Sequence, residues 1–172
     1  MSTKLHPNLR GRVWKFGDSV DTDVIAPGGQ RGDQLRMTTM AAVRPEFPEK
    51  VKPGDILVAG KNFGCGSHRE SANTILRDIG VQAVVAESVA RIFFRVSIAL
   101  AYPTFVAPGI ARIVEDGDEL EIDYEKGVAL NVATGKAVQI SKFPSSVERI
   151  FSAGGLLPLL VGRYKQEKGC AK

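Results

Sequence analysis

Apolar and polar positions change rhythm several times along the chain. Arg12-Val13-Trp14-Lys15-Phe16 alternates and ends at Gly17-Asp18, which predicts a first strand running into a long loop through Pro27, Gly28, Gly29 and Gly32. Loops of that length in compact domains tend to be functional or mobile. Pro53-Gly54-Asp55 reads as a turn, and Ile56-Leu57-Val58-Ala59 as a short strand buried on both faces. A glycine-rich turn from Gly60 to Gly66 follows at once. Ala72, Ile75, Leu76 and Ile79 then recur at helical spacing, with Gly80 placed to close the helix as its C′ residue.

Val81 to Ala86 predicts a second buried strand. Ser88 is expected to cap a helix that buries Val89, Ile92, Phe93, Val96 and Leu100 on one face. Strand, helix, strand, helix is the pattern of a parallel βαβ unit, ended here by Tyr102-Pro103. Beyond it the period becomes two: Leu120 to Tyr124, Val128 to Val132 and Ala137 to Ile140, separated by turns at Lys126-Gly127 and Thr134-Gly135, predict an antiparallel meander. A last short helix is expected from Ser145, with Glu148 three residues on, to Gly154-Gly155. The fold class is therefore mixed α/β, with residues 1–172 forming one domain.

Composition changes this picture little. A chain of 172 residues with 44% hydrophobic content can bury one real core. Its net charge of +4 is dispersed, and only Arg163, Lys165, Lys168 and Lys172 approach a cluster, which argues against nucleic acid and suits attraction of carboxylates. Cys65 and Cys170 cannot make a disulfide framework, and no CxxC or Cys/His spacing suggests a metal site within the chain. A reducing, cytoplasmic setting is expected, since MSTKLHPNLRGRVW has no apolar core and no long apolar run follows.

The chemistry concentrates in Gly64-Cys65-Gly66-Ser67-His68-Arg69-Glu70, between a buried strand and a helix. Glycines let a backbone approach a ligand closely, and free N–H groups at a helix start favour an anion. Ser67-x-x-Glu70 is also a capping-box pattern, in which the hydroxyl accepts from a backbone amide. The two readings are compatible, because amides and a nearby guanidinium that stabilise a hydroxyl stabilise an alkoxide more. Ser67 is thus a candidate base. Arg69 is suited to forked carboxylate binding.

The run from Gly60 to Glu70, followed by Ala90-Arg91-Ile92-Phe93-Phe94-Arg95, resembles the small-subunit family of 3-isopropylmalate dehydratase, the counterpart of the mobile fourth domain of aconitase. Gly17 to Pro27 resembles the family's first signature and Ala153 to Pro158 its ending. The resemblance implies a swivelling β/β/α domain, a mixed sheet or partly open barrel with flanking helices, that closes over a [4Fe-4S] cluster held by a separate large subunit in a heterodimer or heterotetramer. It implies Ser67 as the base and Arg69 as a carboxylate anchor, with Gly66 in the binding turn and Asp23 and Glu70 in support. No metal ligand is expected from this chain.

Arg36, in Gln34-Leu35-Arg36-Met37-Thr38-Thr39, falls where the family reads the substrate's variable group, reached through extra residues from Gly28 to Asp33. An arginine there suggests a polar or carboxylated group; the competing reading is an exposed loop arginine. The family usually has serine at His68 and histidine at Ser71. His68 would donate to a substrate carboxylate, or stand at the helix start without a role. Asp23 likewise reads as a turn residue before Pro27. Arg31-Gly32-Asp33 is taken as a chance tripeptide, and Cys65 as a packing residue. The expected reaction is dehydration and rehydration of a 2-hydroxy di- or tricarboxylate, first 3-isopropylmalate, with homocitrate, dimethylmalate or citramalate as alternatives. A carboxylate-binding module without catalysis is the rival class.

Overall fold

The computed structural model describes residues 8–67 and 69–169, so His68 and Cys170 lie outside the described residues. A seven-stranded mixed sheet runs β4-β3-β2-β1-β5-β6-β7. β1 (Asn8–Lys15) is its hinge line. On one side it pairs parallel with β2 (Ile56–Ala59), which leads to β3 (Ala83–Ala86) and β4 (Thr104–Val106). On the other it pairs antiparallel with β5 (Glu119–Asp123), which pairs antiparallel with β6 (Val128–Asn131), and β6 in turn with β7 (Ala137–Gln139).

Every residue of β2 and β3 is buried, because both faces of the parallel half are covered. Leu57, Ala59, Val84 and Ala86 face one core with Trp14, while Ile56, Val58, Ala83 and Val85 face the other with Val13. In the meander Leu120, Ile122, Ala129 and Ile140 join that second core and Val138 packs against it, as alternation demands. The Ser141 amide donates to the Val106 carbonyl at 2.9 Å, so the chain beyond β7 reaches back to β4 at the opposite edge. The sheet is therefore curled into a partly open barrel with flanking helices.

α4 (Ser71–Asp78) and α5 (Arg91–Ala99) cover the parallel half. Gly80 closes α4 as predicted, at φ 101°, with its own amide bonded to Arg77 and that of Val81 to Leu76. Asn73 on α4 donates to the Ser97 hydroxyl at 2.7 Å and locks the two helices together. The spacing predicts a buried Ile92, but Ile92 is 60% exposed and the inward face of α5 is Phe93 and Ser97. Ser88 does not cap α5. Ala90 occupies the cap, and the Ser88 hydroxyl accepts from the Asn62 amide instead.

The predicted long loop contains three short helices, α1 (Thr22–Ile25), α2 (Gly32–Thr38) and α3 (Phe47–Lys50). Each is one or two turns, too short for a 3.6-residue period to show, and they bury Ile25, Leu35 and Phe47 in the first core, joined by Met40 from the turn after α2. β4, three residues after Pro103, and α6 (Ile110–Ile113) are too short to read for the same reason. α7 (Ser145–Ser152) starts as expected, although Pro144 occupies the cap and Glu148 accepts from the Tyr124 hydroxyl rather than reaching back. α8 (Leu156–Gly169) resumes directly after Gly154-Gly155; its apolar residues are spread around the helix, so it has no face to recognise.

Candidate functional site

The glycine-rich turn is held between two other segments as a short extension of the parallel sheet. On one side Ser19 N–H donates to the Lys61 carbonyl (2.7 Å), Gly64 N–H to Val20 (2.9 Å) and Thr22 N–H to Cys65 (2.9 Å). The Lys61 amide donates to Asp18 Oδ1 at 2.7 Å. On the other side Phe63 exchanges backbone hydrogen bonds with Ser88 and Ala90. The Phe63 ring is buried, edge-on to Phe93 with centroids 5.2 Å apart.

Gly64 and Gly66 are needed where they stand. Both have positive φ, 73° and 86°, and a Cβ would run into the Phe93 ring at Gly64 and into the Asp21 carboxylate at Gly66. That carboxylate is already engaged: Asp21 caps α1, accepting from the Asp23 amide at 2.7 Å. The first signature and the turn thus position each other through backbone contacts and one shared aspartate.

Ser67 emerges from this turn exposed to solvent. The capping box expected from Ser67-x-x-Glu70 is not formed. α4 begins at Ser71 with Glu70 itself in the cap position, already helical at φ −54° and ψ −30°, and no side chain caps it. Arg69 and Glu70 have entered the first turn, since Ala72 N–H bonds to Arg69 and Asn73 and Thr74 N–H bond to Glu70. Ser67 therefore stands three residues before the cap, and no described residue hydrogen-bonds its hydroxyl. Among the described residues, the amide support that the pattern suggests is absent.

Arg69 Nη1 donates to Asp23 Oδ1 at 2.9 Å, joining two candidate residues 46 positions apart. The pair is open, with side chains 48% and 56% exposed. The guanidinium lies over Gly28, whose Cβ, if present, would be 3.1 Å from Nη1. Beside it is a cavity of about 400 Å³ lined by Gly28, Gln30, Arg31, Leu35, Arg69 and Ser71. Arg36 does not line it. That side chain belongs to a neighbouring cleft of about 260 Å³ with Asp33, Thr74 and Asp78. The structure thus brings Asp23, Gly66, Ser67 and Arg69 to one exposed corner and puts Arg36 in another.

Arg31 and Gln30 are the lining residues that sequence reasoning missed. Their only signal was membership of the stretch from Gly28 to Asp33. Cys65 is half-buried with a free thiol. Among the described residues no cluster of His, Cys, Asp or Glu could hold a metal ion, and no helix is long and apolar enough to cross a membrane.

Comparison with known proteins places this chain in a family. Residues 26–101 match the family model for the aconitase C-terminal domain. The chain is 46% identical over 169 residues to the 3-isopropylmalate dehydratase small subunit of Aquifex aeolicus, covering 95% of this chain and 98% of that one. It is 46% identical over 156 residues to the isopropylmalate/citramalate isomerase small subunit of Methanocaldococcus jannaschii, covering 88% and 93%. The crystal structure of a 3-isopropylmalate dehydratase from Methanocaldococcus jannaschii superposes with a TM-score of 0.86 at 37% identity, over 94% of this chain and 98% of that one. This chain therefore belongs to the small-subunit family of 3-isopropylmalate dehydratases, within the aconitase superfamily.

Proposed function

We propose that this chain is the small subunit of a hydro-lyase that isomerises a 2-hydroxy dicarboxylate by dehydration and rehydration, with 3-isopropylmalate the first substrate to test. The observation that carries the reading is the uncapped, exposed Ser67 hydroxyl beside Arg69 in a chain of this family. The [4Fe-4S] group implied by the family is assigned in this reading to a large subunit. Exposure of Ser67, Arg69 and Glu70 supports a face that a partner covers. Residues 1–172 act as one swivelling domain of a cytoplasmic heteromer.

In this reading Arg69 receives a substrate carboxylate. Its exposed pair with Asp23 is worth under about 1 kcal/mol, so a ligand displaces or shares it at small cost. Asp23 positions the guanidinium until then, while the Gly66 turn and His68 add donors to the same carboxylate and Glu70 starts the helix behind it. Ser67 Oγ, as alkoxide, takes the proton from the carbon next to a carboxylate. The C–H electron pair becomes the double bond as the hydroxyl leaves as hydroxide, for which the large subunit's [4Fe-4S] cluster would supply the Lewis acid, and in rehydration that hydroxide adds back while Ser67 returns the proton to carbon. The positive charge of Arg69, felt more strongly where the covering subunit excludes water, favours the alkoxide against the cost of desolvating it.

Ser67→Ala in the complex with a large subunit tests this. Turnover of 3-isopropylmalate should fall by a factor on the order of 10² to 10⁴, as for a lost general base, with substrate binding retained. Unchanged turnover would instead leave a carboxylate-binding module or a structural partner.

A further inference from the structure

The helices α5 and α8 leave an apolar surface uncovered. Among the described residues eight large apolar side chains are exposed, and six of them stand here: Ile92 on α5, at 60%, and Leu156, Leu157, Leu160, Val161 and Tyr164 on α8, at 39% to 72%. Among the described side chains of α8 only Leu159 is partly buried. Its inward turn and the charged end of the helix break any single stripe, yet Leu157, Leu160, Val161 and Tyr164 recur at three- and four-residue spacing and so share one outward side. A helix of 14 residues is marginal in water on its own and is ordinarily held by burying a face. α8 buries almost nothing, and a contiguous exposed apolar run of this kind marks a surface that another molecule covers.

Charge and position decide what covers it. Arg91 and Arg95 flank Ile92 on the exposed side of α5, and α8 carries Arg163, Lys165 and Lys168 against one carboxylate, Glu167. Among the described residues none of these five cations has an ion-pair partner. A second copy of this chain, paired through the same face, would set these cations against their own duplicates and be repelled. A partner with an acidic rim would be attracted. α5 starts at the site, where the Ala90 amide donates to the Phe63 carbonyl at 2.8 Å and Gly64 lies against the Phe93 ring. α8 starts where α5 ends, with Gly155 packed on the Ala99 carbonyl. The surface is therefore continuous with the Ser67 corner, and a subunit that covers that corner reaches both helices.

We infer that α5 and α8 form the docking face for the large subunit, which offers an apolar groove rimmed by carboxylates to Leu157, Leu160, Val161 and Tyr164. The identity of the partner rests on the function proposed above; the need to cover this surface does not.

The experiment titrates the full-length chain into the large subunit, reads affinity by calorimetry, and assays each complex for turnover of 3-isopropylmalate. Leu160→Glu and Tyr164→Ala should each weaken assembly about tenfold or more, as lost interface anchors do. Arg91→Glu combined with Arg95→Glu should slow association and flatten its dependence on salt. Val43→Glu, at an apolar residue as exposed as Leu160 but outside both helices, should leave affinity unchanged, and so should Ser67→Ala. Circular dichroism of the isolated variants separates misfolding from lost docking, and the arginine pair, whose replacement removes no buried contact, gives an independent reading.

The inference is overturned if Leu160→Glu and Tyr164→Ala assemble with wild-type affinity, if Val43→Glu weakens assembly as much, or if the unsubstituted chain binds no large subunit. It is equally overturned if the isolated chain is a dimer that Leu160→Glu dissociates while affinity for the large subunit stays the same. Failure of the proposed function reads differently. A complex that loses affinity in these variants but turns over no hydroxy acid removes the reaction and leaves the docking face, whereas an active complex indifferent to them removes the docking face and leaves the reaction.

Discussion

Arg44 and Arg69 both answer aspartates distant in sequence, yet they differ in what makes an ion pair hold. Arg44 is 25% exposed, forks onto Asp116 at 3.0 and 3.1 Å, and gives Nε to Glu46 at 2.7 Å. Its guanidinium also lies 5.0 Å from the Trp14 ring centroid and 5.8 Å from that of Phe16. Arg69 makes one bond to one carboxylate, and both side chains are about half exposed. Multiple partners, aromatic faces and partial burial fasten the Arg44 segment to the end of β1, where Asp116 also accepts the Lys15 amide. The Arg69 pair has none of these, and a guanidinium so lightly held remains able to take a ligand. An arginine that builds the scaffold and one that serves the site are told apart by how many partners each would have to lose.

The sharpest way to break this comparison is to remove each arginine in turn. Arg69→Ala should lower kcat/KM of the assembled enzyme by about a hundredfold or more, the cost of a lost carboxylate anchor and of the orientation it imposes. In denaturant melts of the isolated chain, the same substitution should cost less than about 1 kcal/mol. Arg44→Ala should reverse the pattern, destabilising the chain by about 1–3 kcal/mol while kcat/KM of the complex stays within twofold, roughly the scatter of such assays. A destabilisation of the chain by Arg69→Ala larger than that by Arg44→Ala would remove the distinction.

A pH series sharpens it further. The bonds from Arg44 hold the Asp116 carboxyl below its ordinary range, and a backbone amide followed by Arg44 does the same for Glu46. Groups with depressed folded pKa values give stability that is present above the unfolded value of about 4 and lost as pH falls through the folded value. Wild type should therefore lose stability more steeply below about pH 4 than Arg44→Ala, and parallel curves would contradict the coupling. The smallest effect expected is that of Asp23→Asn. It should destabilise by under about 1 kcal/mol, and the difference should fade in about 1 M salt, where exposed pairs are screened.

Legibility followed the range of the physics involved. β2 emerges with the bounds read from Ile56 to Ala59, because a continuous apolar run between turns is a local property of a strand covered on both faces. The three meander strands were equally plain, since alternation survives wherever one face is wet. α8 was not, because its apolar residues follow no stripe. At the site, Ser67-x-x-Glu70 has the right residues for a capping box, but the backbone turns helical only near Glu70, after Gly66 has bent the chain over Asp21. A pattern can name a cap; where the helix starts depends on what the preceding turn is tied to.

By itself the sequence determined β2 and β3 of the parallel core, the meander, the helix closed by Gly80, and the glycine turn carrying Ser67 and Arg69. These are set by residue spacing and by φ values that glycine reaches cheaply, both of which act within a few positions. Only the tertiary structure decided that Asp23 meets Arg69, that Arg31 lines the cavity beside it, and that Arg36 turns to a cleft edged by Asp33 and Asp78. Those pairings depend on how the short helices between β1 and β2 pack onto α4, and that packing is settled by burial of Ile25, Leu35 and Phe47 rather than by the charged residues themselves.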